Sequence, residues 1–352
     1  IRLSLVGSEM CIRDSARHQY DIDYYLVGEG DELAHLPVPG DARELAFVDG
    51  RMILQLRSGW TPADEAFSSG SLIAIGLDEF LAGGRDFDLV MESGRDLVVD
   101  EIWTTRSLVI VRALADLEIR LFEFAYRDGR WDRRQIDVPG SGRVEVRNSS
   151  HESDIYYFSH EDFLEPRTVY VRSESGEVEI GGRSRPAFAA DGYEVRRYHA
   201  TSADGTRVPY FVVHPEDMPL DGSAPAIVTG YGGNGVSRLP RYLSLYGPTW
   251  LARGGAYVLA NIRGGNEYGF EWHDAVRREN RQRAFDDFQA VARDLVDRKI
   301  TSPGRIGTAS GSNGGILVGM SFIQRPELYG AVVGFNGVFE LHRCSQLSGD
   351  PP

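Results

Sequence analysis

Cysteine is scarce in this 352-residue sequence: Cys11 and Cys344 are too few for a disulfide framework and lack the spacing of a zinc site. Apolar runs are short, and none approaches the ~18 residues that cross a bilayer. Positive charge is also in deficit, since 38 Lys and Arg residues stand against 52 Asp and Glu, a net charge of −14. Such a surface repels nucleic-acid phosphates. We therefore expect no membrane partner and no nucleic-acid partner.

Short β-rich runs fill the first half of the chain, between Asp-Gly and Ser-Gly turns and without a helical period. Comparable strand pairs recur near Arg51, Ser107 and Asp154, at spacings of 56 and 47 residues, close to the ~40–50 residues of a four-stranded propeller blade. A β-sandwich would use the same short strands and stays open as the alternative. Residues 16–182 have room for about three blades, and closure takes 4–8. The pattern of residues 16–182 therefore predicts a partial β-propeller.

The stretch Ser4–Ser15, within residues 1–15, matches nothing that follows, and the chain begins at Ile1. We interpret residues 1–15 as an artefactual segment that resembles adapter read-through, with a natural N-terminal strand as the alternative, and leave them out of the predicted fold. No clear signal peptide is present. We therefore expect a cytoplasmic protein, and a periplasmic or secreted one stays open.

Strands alternate with helices after a Gly/Arg/Pro linker at 183–186, which predicts a mostly parallel sheet covered by helices. The 3.6-residue apolar period is clearest in the predicted helix Gln282–Lys299. The other predicted helices are Leu239–Arg253, with proline interruptions near its start and at Pro248, and Asn313–Ile323. The predicted strands of the sheet are Ala226–Thr229, Ala256–Ala260, Arg305–Thr308 and Ala331–Phe335.

Ser312 has the context of a catalytic nucleophile. A predicted strand runs into the turn Ser310-Gly311-Ser312-Asn313-Gly314-Gly315, and a helix follows. A nucleophile elbow needs this strand, turn and helix, with small residues where helix and strand approach closely. The backbone N–H of Asn313, at the start of the helix, is the natural donor to an oxyanion. A serine that caps the helix is the alternative.

Several motifs follow one another along the chain, up to and including this turn. They are Ala200–Thr206 (ATSADGT), Gly230–Gly233 (GYGG), Asn261–Gly265 (NIRGG), Glu271–His273 (EWH), Phe285–Phe288 (FDDF), Thr301–Pro303 (TSP) and Gly311–Gly315 (GSNGG). With them, residues 193–342 resemble the catalytic domain of the prolyl oligopeptidase family of serine peptidases. The resemblance implies a seven-bladed propeller, which limits access to short peptides, followed by an α/β-hydrolase domain. It predicts about three of seven blades at 16–182 and a C-terminally truncated hydrolase domain at 183–352.

The resemblance also implies roles for individual residues. Tyr231 stands where the family has a tyrosine whose hydroxyl completes the oxyanion hole with the Asn313 N–H; a tyrosine buried in a Gly-rich turn is the alternative. Val338 stands at an apolar wall of the pocket that accepts proline. Asn234 replaces an aromatic residue that the family commonly has in that pocket, which puts a strict proline preference in doubt.

The acid and base of a triad are expected beyond Pro352. In an α/β-hydrolase the order is Ser, then Asp or Glu, then His, and the 40 residues after Ser312 hold one histidine, His342. The resemblance makes the segment around His342 part of the pocket instead. We therefore expect residues 1–352 to be inactive, since a serine without a base is a poor nucleophile.

Other candidates have mainly structural interpretations. Arg263 is a hydrogen-bonding hub or, less well supported, a substrate clamp, and His273 is structural. Asp286 and Asp287 are expected to be a solvated or capping pair on their helix. No phosphate loop, dinucleotide fingerprint or metal-ligand cluster is found, so no cofactor is expected.

The predicted function is that of a serine peptidase that hydrolyses short peptides, with a preference for proline, through an acyl-enzyme at Ser312. A related hydrolase is the first alternative: an oligopeptidase B-like enzyme, an acylaminoacyl peptidase or an esterase. A non-catalytic propeller binding protein is the second.

Overall fold

The computed structural model describes residues 2–6, 10–18, 21–27, 32–147, 150–337 and 339. The chain divides into two compact units. The first comprises residues 1–161, 167–184 and 268–270, and the second comprises residues 162–166, 185–267 and 271–352. In the described ranges, no helix is both long enough and apolar enough to cross a membrane.

The described residues of the first unit form four four-stranded antiparallel sheets, and each sheet joins four strands that follow one another in the chain. Charged and apolar residues alternate in strands such as Arg143–Arg147, where Val144 and Val146 are buried, because side chains of a strand point to opposite faces in turn. The strands are β1 (Arg2–Val6), β2 (Met10–His18), β3 (Asp21–Val27), β4 (Leu33–Leu36), β5 (Glu44–Val48), β6 (Arg51–Gln55), β7 (Leu72–Gly76), β8 (Asp88–Met91), β9 (Val98–Thr104), β10 (Leu108–Ala115), β11 (Glu118–Arg127), β12 (Arg130–Ile136), β13 (Arg143–Arg147), β14 (Tyr156–Glu161), β15 (Thr168–Arg172) and β16 (Val178–Arg183), with helix α1 (Leu77–Leu81) after β7.

Consecutive sheets of this unit pack face to face. Leu36 of the first sheet shares an apolar cluster with Met52 of the second, and Ile53 of the second shares another with Val109 of the third. The third and fourth sheets are joined by a polar contact, in which Arg112 Nη1 donates to the Val144 carbonyl at 2.6 Å. Sheets stacked in chain order are typical of propeller blades.

The structure describes four sheets in this unit, whereas the sequence predicts about three blades. The additional sheet is β1–β4, and its first two strands lie almost entirely within residues 1–15, which the prediction leaves out of the fold. The backbone of β1 pairs with that of β2, and β2 pairs with β3. The artefact interpretation of residues 1–15 rests on their sequence alone and stays a prediction.

A six-stranded mixed sheet forms the centre of the second unit, in the order β17-β18-β20-β19-β21-β22. Strands β19, β20, β21 and β22 run parallel, and β18 pairs antiparallel with β17 and β20. The strands are β17 (Tyr193–Thr201), β18 (Arg207–Pro215), β19 (Ala226–Thr229), β20 (Ala256–Ala260), β21 (Ile306–Gly311) and β22 (Tyr329–Phe335), and the helices are α2 (Tyr246–Thr249), α3 (Phe270–Asp274), α4 (Gln282–Asp297) and α5 (Asn313–Gln324).

The predicted helix Leu239–Arg253 is wrong. Only α2 and a 3₁₀ turn at Leu251–Arg253 are helical there. Pro248 explains the difference, because it would stand in the interior of a helix that begins at Leu239, whereas in α2 it lies in the first turn, where a helix tolerates a residue without an N–H donor.

The apolar face of α4 places the helix against the sheet. Phe288, Val291 and Leu295 recur at helical spacing and are fully buried in one cluster with Val228 of β19 and Leu317 of α5. Because β19 lies between β20 and β21, the loops that leave the carboxyl ends of these three parallel strands are neighbours. Sites in open α/β sheets lie in this position.

Candidate active site

The loops that follow β19, β20 and β21 are hydrogen-bonded to one another. The Gly235 N–H donates to the Gly264 carbonyl at 3.0 Å. Ser310 Oγ, at the carboxyl end of β21, donates to the carbonyl of Gly230, which directly follows β19, at 2.6 Å. The three loops therefore form one connected edge of the sheet, and this edge holds most of the residues for which the sequence predicts roles.

Ser312 occupies the tip of a sharp turn between β21 and α5. Its φ of 55° and ψ of −125° lie outside the regions that L-residues usually adopt. The Ser312 N–H donates to the Phe335 carbonyl at 3.1 Å, and the Gly315 N–H returns to the Ser312 carbonyl at 2.9 Å. The residue is exposed. A strained, exposed serine between a strand and a helix has the geometry of a nucleophile elbow.

Small residues are required on both sides of this turn. A Cβ atom on Gly314 would lie 2.8 Å from the Ser310 Cβ and 3.3 Å from the Gly230 carbonyl oxygen, and it would overlap Ser310 Oγ. Ser310 stands where the G-x-S-x-G pattern has its first glycine. The structure accommodates it because its hydroxyl is used in the bond to Gly230.

Tyr231 and Asn234 lie together in the loop after β19. The Asn234 Nδ2 donates to the Tyr231 hydroxyl at 3.2 Å. Asn234 is exposed and has a φ of 55°, a left-handed conformation that asparagine tolerates better than most residues. The Arg238 guanidinium lies over the Tyr231 ring, 5.5 Å from its centroid. The amide of Asn234 thus contacts the phenol that the sequence assigns to the oxyanion hole.

Asn313 connects the nucleophile turn to the loop of Tyr231. Its Nδ2 donates to the Tyr231 carbonyl at 3.2 Å, and its Oδ1 accepts from Arg281 Nη2 at 3.3 Å. Arg281 Nη1 donates to the Gly232 carbonyl. The Asn313 backbone N–H stands in the first turn of α5, where helix N–H groups have no intrahelical acceptor. It is therefore oriented as a donor at the helix end.

Sequence reasoning missed Arg281. The sequence offers one signal for it: an arginine directly precedes the predicted helix Gln282–Lys299, at the N-cap position of α4. Ser, Thr, Asp and Asn are preferred at that position.

Arg263 is a buried hydrogen-bonding hub, the better supported of its two predicted roles. It binds Asp287 through Nε at 2.9 Å and Nη2 at 2.6 Å, and Asp204 through Nη1 at 2.6 Å. Hydrogen bonds from Arg263 hold the pKa of Asp204 well below its usual range. Burial lowers the pKa of Arg263, and the bonds to Asp287 and Asp204 outweigh it and raise that pKa.

The prediction that Asp287 is solvated or caps its helix is wrong. Asp287 is fully buried, and both of its carboxylate oxygens accept hydrogen bonds from Arg263. Asp286 is partly exposed and accepts from Gln282 at 2.9 Å.

Two predicted residues lie outside the described residues: Val338 and His342. Their roles stay predictions. His273 is buried, with Nδ1 3.2 Å from an Asp274 oxygen. Within the ranges that the structure describes, no group of three or more His, Cys, Asp and Glu side chains could hold a metal ion.

Known proteins match this chain along most of its length. Residues 242–347 match the model of the Prolyl oligopeptidase family. An uncharacterized peptidase of Sinorhizobium fredii is 40% identical over 320 residues, which cover 89% of this chain and 44% of that protein. This chain belongs to the prolyl oligopeptidase family. The prolyl endopeptidase of Elizabethkingia miricola is 34% identical over 206 residues, which cover 58% of this chain and 29% of that enzyme.

Solved structures support the same assignment. A post-proline cleaving enzyme from Rickettsia typhi has a TM-score of 0.90 at 28% identity, over 97% of this chain and 50% of that one. Oligopeptidase B from Trypanosoma brucei, at 18% identity and a TM-score of 0.80 over 95% of this chain and 48% of that one, shares the fold alone. The predicted fold class is confirmed in its coarse form, a prolyl oligopeptidase-type protein. The chain spans about half the length of the Sinorhizobium and Rickettsia proteins.

Proposed function

We propose that this chain carries the nucleophile of a serine peptidase that cleaves short peptides after proline. The observation that carries the proposal is the strained, exposed Ser312 between β21 and α5. The names of the Elizabethkingia and Rickettsia relatives support cleavage after proline.

In this proposal, Ser312 Oγ attacks the carbonyl carbon of the scissile peptide bond and its proton passes to a histidine base, which we assign to none of the described residues. The C=O π pair moves onto oxygen, and the Tyr231 hydroxyl and the Asn313 N–H donate to this oxyanion. Collapse of the intermediate breaks the C–N bond, and the amine leaves with the proton from the base. Water then hydrolyses the acyl-serine ester and frees the carboxylate product.

The hydrogen bond from Asn234 indicates that the O–H of Tyr231 donates to a group other than Asn234. Because Asn234 Nδ2 is a donor, the Tyr231 oxygen accepts that bond and its own O–H is free to donate elsewhere. A phenol that accepts one hydrogen bond is a stronger donor in the next. This supports the role of Tyr231 as an oxyanion donor.

The substrate pocket is proposed to include Val338 and Asn234. The polar Asn234 side chain, where the family commonly has an aromatic residue, predicts a relaxed preference for proline. We therefore expect measurable cleavage after alanine as well, at a lower kcat/KM than after proline.

A panel of short blocked peptides that differ in one residue before a single cleavable bond tests this function. We would incubate the panel with the longest open reading frame that contains this chain and identify the products by mass spectrometry, with Ser312→Ala as the matched control. Cleavage after proline that disappears in Ser312→Ala supports the proposal. Cleavage after arginine alone, removal of acylated N-terminal residues, hydrolysis of esters but not peptides, or no hydrolysis would each refute the post-proline assignment.

A further inference from the structure

Arg281 is a cation in a place where α4 itself does not favour one. It stands at the N-cap of this 16-residue helix and makes no side-chain cap hydrogen bond. The N-terminal end of a helix carries partial positive charge, so a cation there is unfavourable. In the described part of the chain, Arg281 forms no ion pair with a carboxylate within 4.0 Å. Neither helix capping nor a salt bridge therefore accounts for its position.

The guanidinium of Arg281 instead contacts both sides of the proposed oxyanion hole. Nη1 donates to the Gly232 carbonyl, in the loop of Tyr231, and Nη2 donates to Asn313 Oδ1 at 3.3 Å. The Asn313 Nδ2 closes a ring by donating to the Tyr231 carbonyl at 3.2 Å. An arginine only donates and a carbonyl only accepts, so the amide of Asn313 can bridge them in one orientation alone.

Burial makes this charge count more at the site than it would in water. It lowers the pKa of the Arg281 guanidinium, and the neighbouring Tyr231 phenol opposes this effect. The guanidinium stays charged at all working pH values. On its other side, Arg281 lies over the Phe285 ring, 5.5 Å from the centroid. A cation with an apolar neighbour and no anion stabilises negative charge that develops nearby.

We propose that Arg281 is a positioning residue of the oxyanion hole, which holds the loop of Tyr231 against Asn313 and adds positive charge beside them. The inference rests on the proposed function, because it assumes that Tyr231 and Asn313 receive the oxyanion. Arg281 acts through these two donors and does not touch the substrate.

The test compares Arg281→Met, Arg281→Gln and Arg281→Lys in the longest open reading frame that contains the chain, with kcat and KM measured on a peptide that the parent cleaves. Methionine keeps the length of the side chain and removes charge and donors, so kcat should fall by roughly 10- to 100-fold, and KM should change by less than about threefold. Lysine keeps the charge and has a single donor nitrogen in place of the two Nη atoms, and its kcat should be at least about fivefold above that of methionine. Glutamine keeps a donor without the charge and should lie between the two.

Arg283→Met is the matched control, because Arg283 is an exposed arginine two residues along, whose Nη1 donates to the Ala275 carbonyl at 3.2 Å. It should keep kcat within about twofold of the parent. A second comparison uses Tyr231→Phe: because this variant lacks one of the two donors through which Arg281 acts, adding Arg281→Met to it should lower kcat by less than it does in the parent.

Each outcome decides between distinct claims. A folded Arg281→Met with the parent's kcat, or an effect on KM alone, overturns the role of Arg281 and leaves the proposed function intact. Full additivity with Tyr231→Phe overturns the part of that role that acts through the phenol. If Arg281→Met does not fold, the lysine and glutamine variants decide, and unchanged kcat in both overturns the inference. A parent whose activity survives Ser312→Ala refutes the proposed function, and the inference falls with it.

Discussion

Replacing Arg263 with methionine should destabilise the second unit by roughly 3–5 kcal/mol, the usual cost of leaving a buried charge without its partner. The substitution removes hydrogen bonds of 2.9 and 2.6 Å to Asp287, which is 0% exposed. Among the partners that the structure describes, Asp287 then keeps only the Arg263 backbone N–H, at 3.1 Å. Water cannot replace the lost donors at a fully buried carboxylate.

Asp204 provides the comparison on the same guanidinium. Its bond to Arg263 is as short, at 2.6 Å, but its side chain is 40% exposed. Water can therefore solvate Asp204 when the pair is broken, and exposed ion pairs contribute about 1 kcal/mol or less. Asp204→Asn should cost several-fold less than Arg263→Met, although the two bonds to Arg263 look equal by length.

Hydrogen exchange in increasing urea, read by mass spectrometry on peptides from α4, measures the free energy of unfolding of the second unit separately from the first. Urea is preferred to guanidinium chloride, which would screen the ion pairs. The double variant Arg263→Met with Asp287→Asn removes both charges and should be about 1–2 kcal/mol more stable than Arg263→Met. A loss below about 1 kcal/mol in Arg263→Met, or an equal loss in Asp204→Asn, would refute the argument from burial.

Three further predictions concern the site and its support. Gly314→Ala should lower the rate of Ser312-dependent hydrolysis at least about tenfold, because its Cβ overlaps Ser310 Oγ, and adding Ser310→Ala should restore part of the rate; no rescue would contradict the steric explanation. Tyr231→Phe should lower kcat by roughly 10²-fold with little change in KM, as loss of one oxyanion donor does, and an unchanged kcat in steady-state assays would remove the phenol from the mechanism. Because Arg263 lowers the pKa of Asp204, the contribution of Asp204 to stability is complete above its unfolded pKa of about 4 and is lost as pH falls towards the folded value. Acid titrations in urea should show a shallower loss of stability for Asp204→Asn than for the parent, and parallel curves for the two proteins would contradict this.

Local sequence patterns were sufficient for the nucleophile turn and for the helices on either side of it. The small residues around Ser312 are needed for a steric reason that acts within five positions, so a short motif can reveal them. The same holds for α4, where Phe288, Val291 and Leu295 recur at helical spacing, and for the Asp-Gly turns, such as Asp49-Gly50 with φ values of 46° and 68°.

Pairings across long distances in the chain could not be predicted in the same way. Asp287 lies on a helix with polar neighbours, and only Arg263, 24 residues earlier, makes its burial possible. Arg281 contacts Gly232, 49 residues away, through a carbonyl that carries no side-chain signal. Such contacts follow from the order of strands in the sheet, which places the loops side by side.

The most direct test of the central claim is covalent labelling of Ser312. A fluorophosphonate, which reacts with activated serines, should label the longest open reading frame that contains this chain at one site, and peptide mapping should place the adduct on the segment that contains Ser312. Ser312→Ala should abolish the label, and the exposed-surface control Arg283→Met should keep it. Labelling that persists in Ser312→Ala, or an adduct mapped to another serine in a protein that hydrolyses peptides, would contradict the account.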